Sequence, residues 1–264
     1  MSTDQIAADL AQKGWAIFDP DPAIIPWVDA AQAAGQQALN DPDMRAKWLV
    51  CGDTWFVGVD ALPTGADGSL QPVPFRGQAA EFIQQNFPDV PLHAAQLSIT
   101  WPGYPKPRAG ESAGGFAYRL NRGAAHLDGL QPHGTQKRRK FGEFHAYIMG
   151  IALTDVTEGA SPTWLWEGSH LPVQSMLAAQ LAPHDPVNWP QIDLTDAYHT
   201  TRADIFENYP RRSVTCQKGQ VFIMHRHLLH GVGPWTSPAP NIFGRRIAFF
   251  RPHWVGDLRR WAVD

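Results

Sequence analysis

The sequence predicts one mainly β domain, a sandwich or barrel with α-helices packed on its outside. Three observations carry this. Gly and Pro stand at 23 each in 264 residues, a turn-rich composition that favours many short strands over a helical bundle. After residue 90 the chain is a succession of short apolar runs separated by Gly and Pro turns, as in sandwiches and barrels. Before residue 90 the chain reads as three helices and a strand, and after it the character changes. No linker, repeat or low-complexity tract divides the chain. Residues 1–264 therefore read as a single domain, with 1–90 carrying N-terminal helices and the first strands, and 91–255 carrying the β core and the site.

Residues 3–13 predict a helix, with Ile6 and Leu10 one turn apart and Ser2 or Thr3 available as cap. Gly14 breaks it, and "WAIF" reads as a strand. The Ala- and Gln-rich stretch 22–39 predicts a second helix, with Pro26 tolerated near its first turn, and "QAAEFIQQN" (78–86) a third, ended by Pro88. Strands follow at "AAQLSITW" (94–101), within "EFHAYIMGIALTD" (143–155), at "RRSVTC" (211–216) and "QVFIMH" (220–225) across a tight turn, and at "RRIAFFRP" (245–252).

Composition excludes several classes. Apolar residues make up 44 % and charged residues 18 %, against a disordered chain. A formal net charge of −3 argues against nucleic acid as the main partner. No apolar run approaches the roughly 20 residues a bilayer span needs. Cys51 and Cys216, far apart, suggest no disulfide framework. The start of the chain lacks the blocks of a secretory signal, so a cytoplasmic location is expected. The basic run "QKRRK" (136–140) reads first as a solvated loop. The 11 Trp residues suggest an aromatic-lined interior or cleft, with Trp101, Trp164, Trp166 and Trp235 expected near its mouth.

Two segments suggest chemistry. "GAAHLDGLQ" (123–131) sets His126 and Asp128 two apart, the repeat of a strand, so both side chains can share a face. Alone the pair is weak, since His126 could equally be a hydrogen-bonded histidine at a strand end. "GQVFIMHRHLLHGVGPWTS" (219–237) is an apolar strand running into a His-rich end, and Arg245 opens the strand that follows. Two imidazoles and a carboxylate with open positions describe the facial triad of non-haem iron(II) oxygenases. A planar, always-charged guanidinium on a neighbouring strand suits a dicarboxylate co-substrate. An all-histidine zinc site from His225, His227 and His230 is the competing reading, and it leaves His126, Asp128 and Arg245 without roles.

The order and spacing of these motifs resemble the phytanoyl-CoA dioxygenase-like family of Fe(II)/2-oxoglutarate-dependent oxygenases over roughly residues 90–252. The resemblance rests on the strand and "PG" turn at 97–103, "HLD" at 126–128, "GIALTD" at 150–155, "WEGSH" at 166–170, "KGQVFIMHRHLLHGVGP" at 218–234 and "RRIAFFRP" at 245–252. It implies a double-stranded β-helix, a cupin-like jelly roll with flanking helices. It implies that His126, Asp128 and His230 bind Fe(II), that Arg245 (or its neighbour Arg246) holds the 5-carboxylate of 2-oxoglutarate, and that O2 is consumed with release of succinate and CO2. Hydroxylation of a small-molecule metabolite is the implied outcome, because halogenating relatives carry a small residue where Asp128 stands. His170 reads as structural. Two departures concern the co-substrate's surroundings: Gly150 stands where relatives often have Trp, and Val232 where they often have Ser.

The basic run at 136–140 follows the His-x-Asp pair closely and could edge the site, which would suit an anionic substrate. His145 and Tyr147 could reach a substrate, with core packing the plainer role. Another metal-dependent enzyme on the same barrel, or a non-catalytic ligand-binding jelly roll, are the competing classes; Arg245 speaks against the first and an intact triad against the second.

Overall fold

The computed structural model describes residues 2–238 and 241–263. Its strands are β1 (Trp15–Ile17), β2 (Leu49–Val50), β3 (Trp55–Phe56), β4 (Gln96–Thr100), β5 (Leu130–His133), β6 (Arg138–Phe141), β7 (Tyr147–Ala152), β8 (Thr163–Trp166), β9 (Arg211–Val214), β10 (Val221–His225), β11 (His230–Val232) and β12 (Arg245–Phe250). Seven form a large sheet in the order β1-β10-β7-β12-β4-β3-β2, three a smaller sheet in the order β11-β8-β9, and β5 and β6 a hairpin. Every pairing is antiparallel. An antiparallel bridge between His126 and His230 adds the segment around His126 to the small sheet beside β11.

Followed along the chain, the path alternates between layers. It runs from β4 in the large sheet to the His126 segment in the small one, back to β7, across to β8 and β9, and then through β10, β11 and β12 in turn. That winding is the double-stranded β-helix, or jelly roll.

Helices α1 (Thr3–Lys13), α2 (Ile25–Asn40), α3 (Pro42–Trp48) and α4 (Gln78–Asn86) precede the β core; α5 (Ala113–Arg122), α6 (His170–Leu181), α7 (Thr195–Asn208) and α8 (Leu258–Val263) lie within and after it. The N-terminal elements follow the sequence reading closely. Ser2 accepts from Gln5 N–H to cap α1, and Gly14 ends it at φ +81°. The second predicted helix opens instead as a short 3-10 turn, Pro22–Ile24, before α2 begins.

Alternation along the strands sets three apolar layers. Tyr147, Met149 and Ile151 of β7 and Ala248 and Phe250 of β12 face out to Trp27, Val28 and Phe82 of the N-terminal helices. Ile148 and Ala152 of β7 and Ile247 of β12 face inward to Leu165, Phe222 and Met224. Leu177 of α6 and Ile205 of α7 pack with Trp166, Leu229 and Trp261 on the far side of the small sheet. Because both faces of β7 are covered, all six of its residues are buried and the period of two is hidden in the sequence. Phe250 is fully buried against Trp27 and Phe75. Phe250→Ala is expected to cost ~3–5 kcal/mol, read as a lower urea midpoint at unchanged slope; a loss below ~1 kcal/mol would contradict this packing.

The basic run at 136–140 is a loop only in part, with Gln136 and Lys137 in an exposed turn. It supplies β6 of the β5–β6 hairpin, and Arg138 is tied to Asp193 and Asp196. Among the described residues no helix is long and apolar enough to cross a membrane.

Candidate metal centre

His126 and His230 face each other across the bridge that joins their strands. Each backbone N–H donates to the other's carbonyl, at 2.8 Å and 3.2 Å, and the rings lie 4.7 Å apart between centroids. The approach needs glycine at the next position: a Cβ on Gly231 would sit 2.2 Å from the Gly123 carbonyl oxygen. Asp128, two residues after His126, puts Oδ1 3.2 Å from His126 Nε2 and 3.7 Å from His230 Nε2. The three ligand atoms all lie within 4.8 Å of one another.

Hydrogen bonds orient both imidazoles. His126 Nδ1 bonds the Ala124 carbonyl at 3.1 Å and His230 Nδ1 bonds the Leu228 carbonyl at 2.9 Å. A carbonyl only accepts, so each Nδ1 carries the proton and each Nε2 keeps its lone pair for a metal. Two neutral imidazoles and one carboxylate on one side of an ion are the donor set non-haem Fe(II) takes, and these residues fit it.

The charges agree. Burial pushes His230 down to about 4. Burial alone would raise Asp128, but the histidines and Arg251 outweigh it and hold the carboxyl well below its usual range. At His126 desolvation opposes the charged ring and the Asp128 hydrogen bond favours it; the net is a rise, as the ring's 46 % exposure at the cavity mouth allows. Metal must therefore displace one proton, from His126, at mildly acid pH. Affinity for Mn(II), read by electron paramagnetic resonance, is expected to fall about tenfold per pH unit between about pH 6 and 5 and to level off only once the pH passes the raised pKa of His126. A fall of about a hundredfold per unit in that window would mean that His230 titrates there too.

A cavity of about 170 Å³ opens on the triad, walled by Trp55, Val57, Ser98, Thr163, Val232 and Phe249. Arg245 lies behind this wall, fully buried on the inward face of β12 opposite Thr100 of β4. Its Nε donates to the Ser161 carbonyl at 2.9 Å and its Nη1 to Ser98 Oγ at 3.3 Å. Nη2 has no partner, and the hydroxyls of Thr100, Ser161 and Thr163 are likewise buried without one. Burial pulls the guanidinium down to about 10, which still leaves it charged at neutral pH. A buried cation with a free donor and no facing carboxylate among the described residues fits the distal carboxylate of a dicarboxylate. Arg246 points the other way, its side chain bonding the Phe243 carbonyl and Gln36 of α2.

Other sequence-singled residues fall elsewhere. His225 and His227 do not join His230; they cluster with His170 and Trp261 behind the site, at centroid separations of 4.6–5.1 Å. The all-histidine zinc reading fails on this placement. Tyr147 is buried against Phe87 and does not reach the cavity. His145 lines a separate, adjoining hollow. None of Trp101, Trp164, Trp166 and Trp235 lines the metal cavity; its tryptophan is Trp55 of β3. No residue of 136–140 lines it either, which removes the ground for expecting a basic rim there. At Gly150 the space of a larger side chain is taken from the neighbouring strand, since a Cβ there would lie 2.2 Å from the Phe222 ring. Sequence reasoning missed Arg251, which does line the cavity. The period of two from Arg245 through Ile247 and Phe249 was the signal that could have found it.

Fold and site together are those of a jelly roll with a two-histidine, one-carboxylate cluster able to hold a metal ion. Residues 119–243 match the family model of phytanoyl-CoA dioxygenase, and this stretch contains the whole triad. Solved structures share the fold. The chain is similar to the non-haem α-ketoglutarate-dependent carbocyclase SnoK from nogalamycin biosynthesis, with 16 % identity and TM-score 0.57 over 96 % of this chain and 84 % of that one. It is similar to EctD from S. alaskensis, solved with 2-oxoglutarate and 5-hydroxyectoine, with 17 % identity and TM-score 0.51 over 96 % and 76 %. It is similar to AviO1 from Streptomyces viridochromogenes Tue57, with 16 % identity and TM-score 0.50 over 96 % and 95 %. A search of curated proteins finds no significant match.

Proposed function

We propose that this chain is a dioxygenase that hydroxylates an unactivated C–H bond of a small-molecule metabolite, with release of succinate and CO2. His126, Asp128 and His230 hold the iron and Arg245 holds the distal carboxylate of 2-oxoglutarate. The observation that carries the reading is the pair of opposed imidazoles, each locked by Nδ1 with Nε2 turned to Asp128. When bound, iron, 2-oxoglutarate and O2 supply the decarboxylation and the oxidant that attacks the C–H bond. The protein's residues do the positioning. His126, Asp128 and His230 would hold the ion through three ligand atoms, which would leave coordination positions for the co-substrate and O2. Arg245, with Ser98 beside it, anchors the far end of the co-substrate, and Trp55, Val57 and Phe249 form an apolar wall that keeps water from the reacting carbon.

Asp128 favours hydroxylation, because the carboxylate fills the position a halide would need. A buried Arg245 speaks against a metal enzyme with no dicarboxylate to bind, and the assembled triad against a non-catalytic jelly roll. One domain is the reading that suits the structure best, since β1, β2 and β3 extend the same sheet as β4, β7, β10 and β12. We also place the protein in the cytoplasm, which suits its two free cysteines. The test is anaerobic. Fe(II) and then 2-oxoglutarate are added, and the weak visible charge-transfer band of the chelate is expected. Succinate release and product mass with a panel of metabolites then separate hydroxylation from cyclisation, the outcome the SnoK description names. No band at saturating iron and 2-oxoglutarate would end the proposal.

A further inference from the structure

Arg251 stands at a partition. It lines the cavity over the triad and also an adjoining hollow of about 240 Å³ walled by His93, His145 and His253. Its Nη1 lies 3.8 Å from Asp128 Oδ2, whereas the histidines approach Oδ1. That separation is too long for a hydrogen bond. Its Nε is buried with no partner, and among the described residues the guanidinium donates no hydrogen bond. Among the described residues neither acid of the hollow, Glu143 or Asp60, pairs with Arg251; Glu143 lies 3.2 Å from His145. Arg251 is thus a fixed cation at the wall of the metal cavity with most of its donors unspent. A buried donor left unmade costs free energy, so a ligand that supplies acceptors there gains by it.

With Arg245 as the proposed anchor of the co-substrate, Arg251 is left without a part in holding it. Arg245 and Arg251 share the inward face of one extended segment, six residues apart, which at ~3.3 Å per residue is roughly 20 Å of chain. A five-carbon dicarboxylate that chelates the metal can reach one of them and not both.

Building on the reading of the triad as the iron site, we propose that Arg251 binds a carboxylate of the prime substrate. The substrate class is then a small organic acid, its carboxylate on the Arg251 fork, its reacting carbon over the triad, and any polar remainder in the histidine-walled hollow.

The test uses isobutyrate and isobutyramide, isosteric probes that differ in charge, on the full protein loaded with Zn(II) and 2-oxoglutarate. Saturation-transfer NMR reads probe binding, and the 2-oxoglutarate signal reports separately whether the metal site has formed. Isobutyrate is expected to bind at least tenfold more tightly than isobutyramide. Arg251→Gln is expected to abolish the preference and Arg251→Lys to keep part of it. The comparison is repeated without metal or 2-oxoglutarate, where the preference is expected to persist because Arg251 carries it. A loss of the 2-oxoglutarate signal in wild type would overturn the iron-site reading alone. Equal binding of the two probes to wild type, or an unchanged preference in Arg251→Gln, would overturn this proposal. If Arg251→Gln weakened Zn(II) binding but left the probe preference intact, Arg251 would be a positioning residue for Asp128, and the proposal would also fall.

Discussion

Asp128→Ala is expected to abolish turnover coupled to succinate release and to lower metal affinity by at least ~10³-fold, or ~4 kcal/mol. Asp128 is the only anion among the three ligands, and it faces two imidazoles and the Arg251 guanidinium. Removing it leaves a site whose remaining charge is positive and which repels a divalent cation. The attraction lost is large by simple electrostatics: a unit negative charge ~4 Å from a divalent ion is worth ~8 kcal/mol at an effective dielectric of ~20. The protein itself stays folded, because the Asp128 carboxylate lies at the cavity wall and the strand pairing there is made by backbone groups. Titration with Mn(II) and a thermal melt in parallel separate the two effects. Metal affinity within tenfold of wild type, at unchanged melting temperature, would remove Asp128 from the ligand set.

Arg245→Met is expected to raise the 2-oxoglutarate requirement at least ~100-fold, about 3 kcal/mol, while the melting temperature moves by only a few degrees. The two halves have different causes. On the proposed reading, binding loses the charge-assisted contact that the guanidinium would make to the distal carboxylate. Stability loses two hydrogen bonds, to the Ser161 carbonyl and to Ser98 Oγ, but gains relief from a buried charge that has no carboxylate partner. Methionine has nearly the same length and fills the space. Arg245→Lys keeps the charge and loses the fork, so it should fall between. A co-substrate KM unchanged in Arg245→Met would show that the dicarboxylate is anchored elsewhere.

The parts of the fold that could be read in advance are those whose signals are local. Helix α1 carries its own cap and stop in Ser2 and Gly14, and β12 is bounded by the loop before Arg245 and by Pro252. What could not be read depended on partners distant in the chain. Helix α7 buries only Thr195, Tyr198 and Ile205, too few to show a helical stripe. Strand β8 is four residues with two tryptophans, and its identity as a strand comes from β9 and β11 on either side. The basic run at 136–140 reads as a loop by charge alone, yet Leu130 and Phe141 close it into a hairpin over the α6–α8 layer.

The site divides the same way. His126 and Asp128 are neighbours on a strand, and the period of two places them together whatever the rest of the chain does. By itself the sequence determined the residue types of a two-histidine, one-carboxylate cluster, their order, and an arginine on a following strand. Tertiary structure decided which of the three histidines in "HRHLLH" faces Asp128. Val221–His225 belongs to the large sheet and His230 to the small one, so the turn between them sends His225 and His227 behind the sheet and His230 into the cavity. It also turned Arg245 inward and Arg246 outward, put Trp55 and not the four other tryptophans in the cavity wall, and brought Arg251 beside Asp128. Each of these is a question of which face of a strand meets which layer, and a sheet's faces acquire an inside and an outside only once the second sheet has packed against one of them.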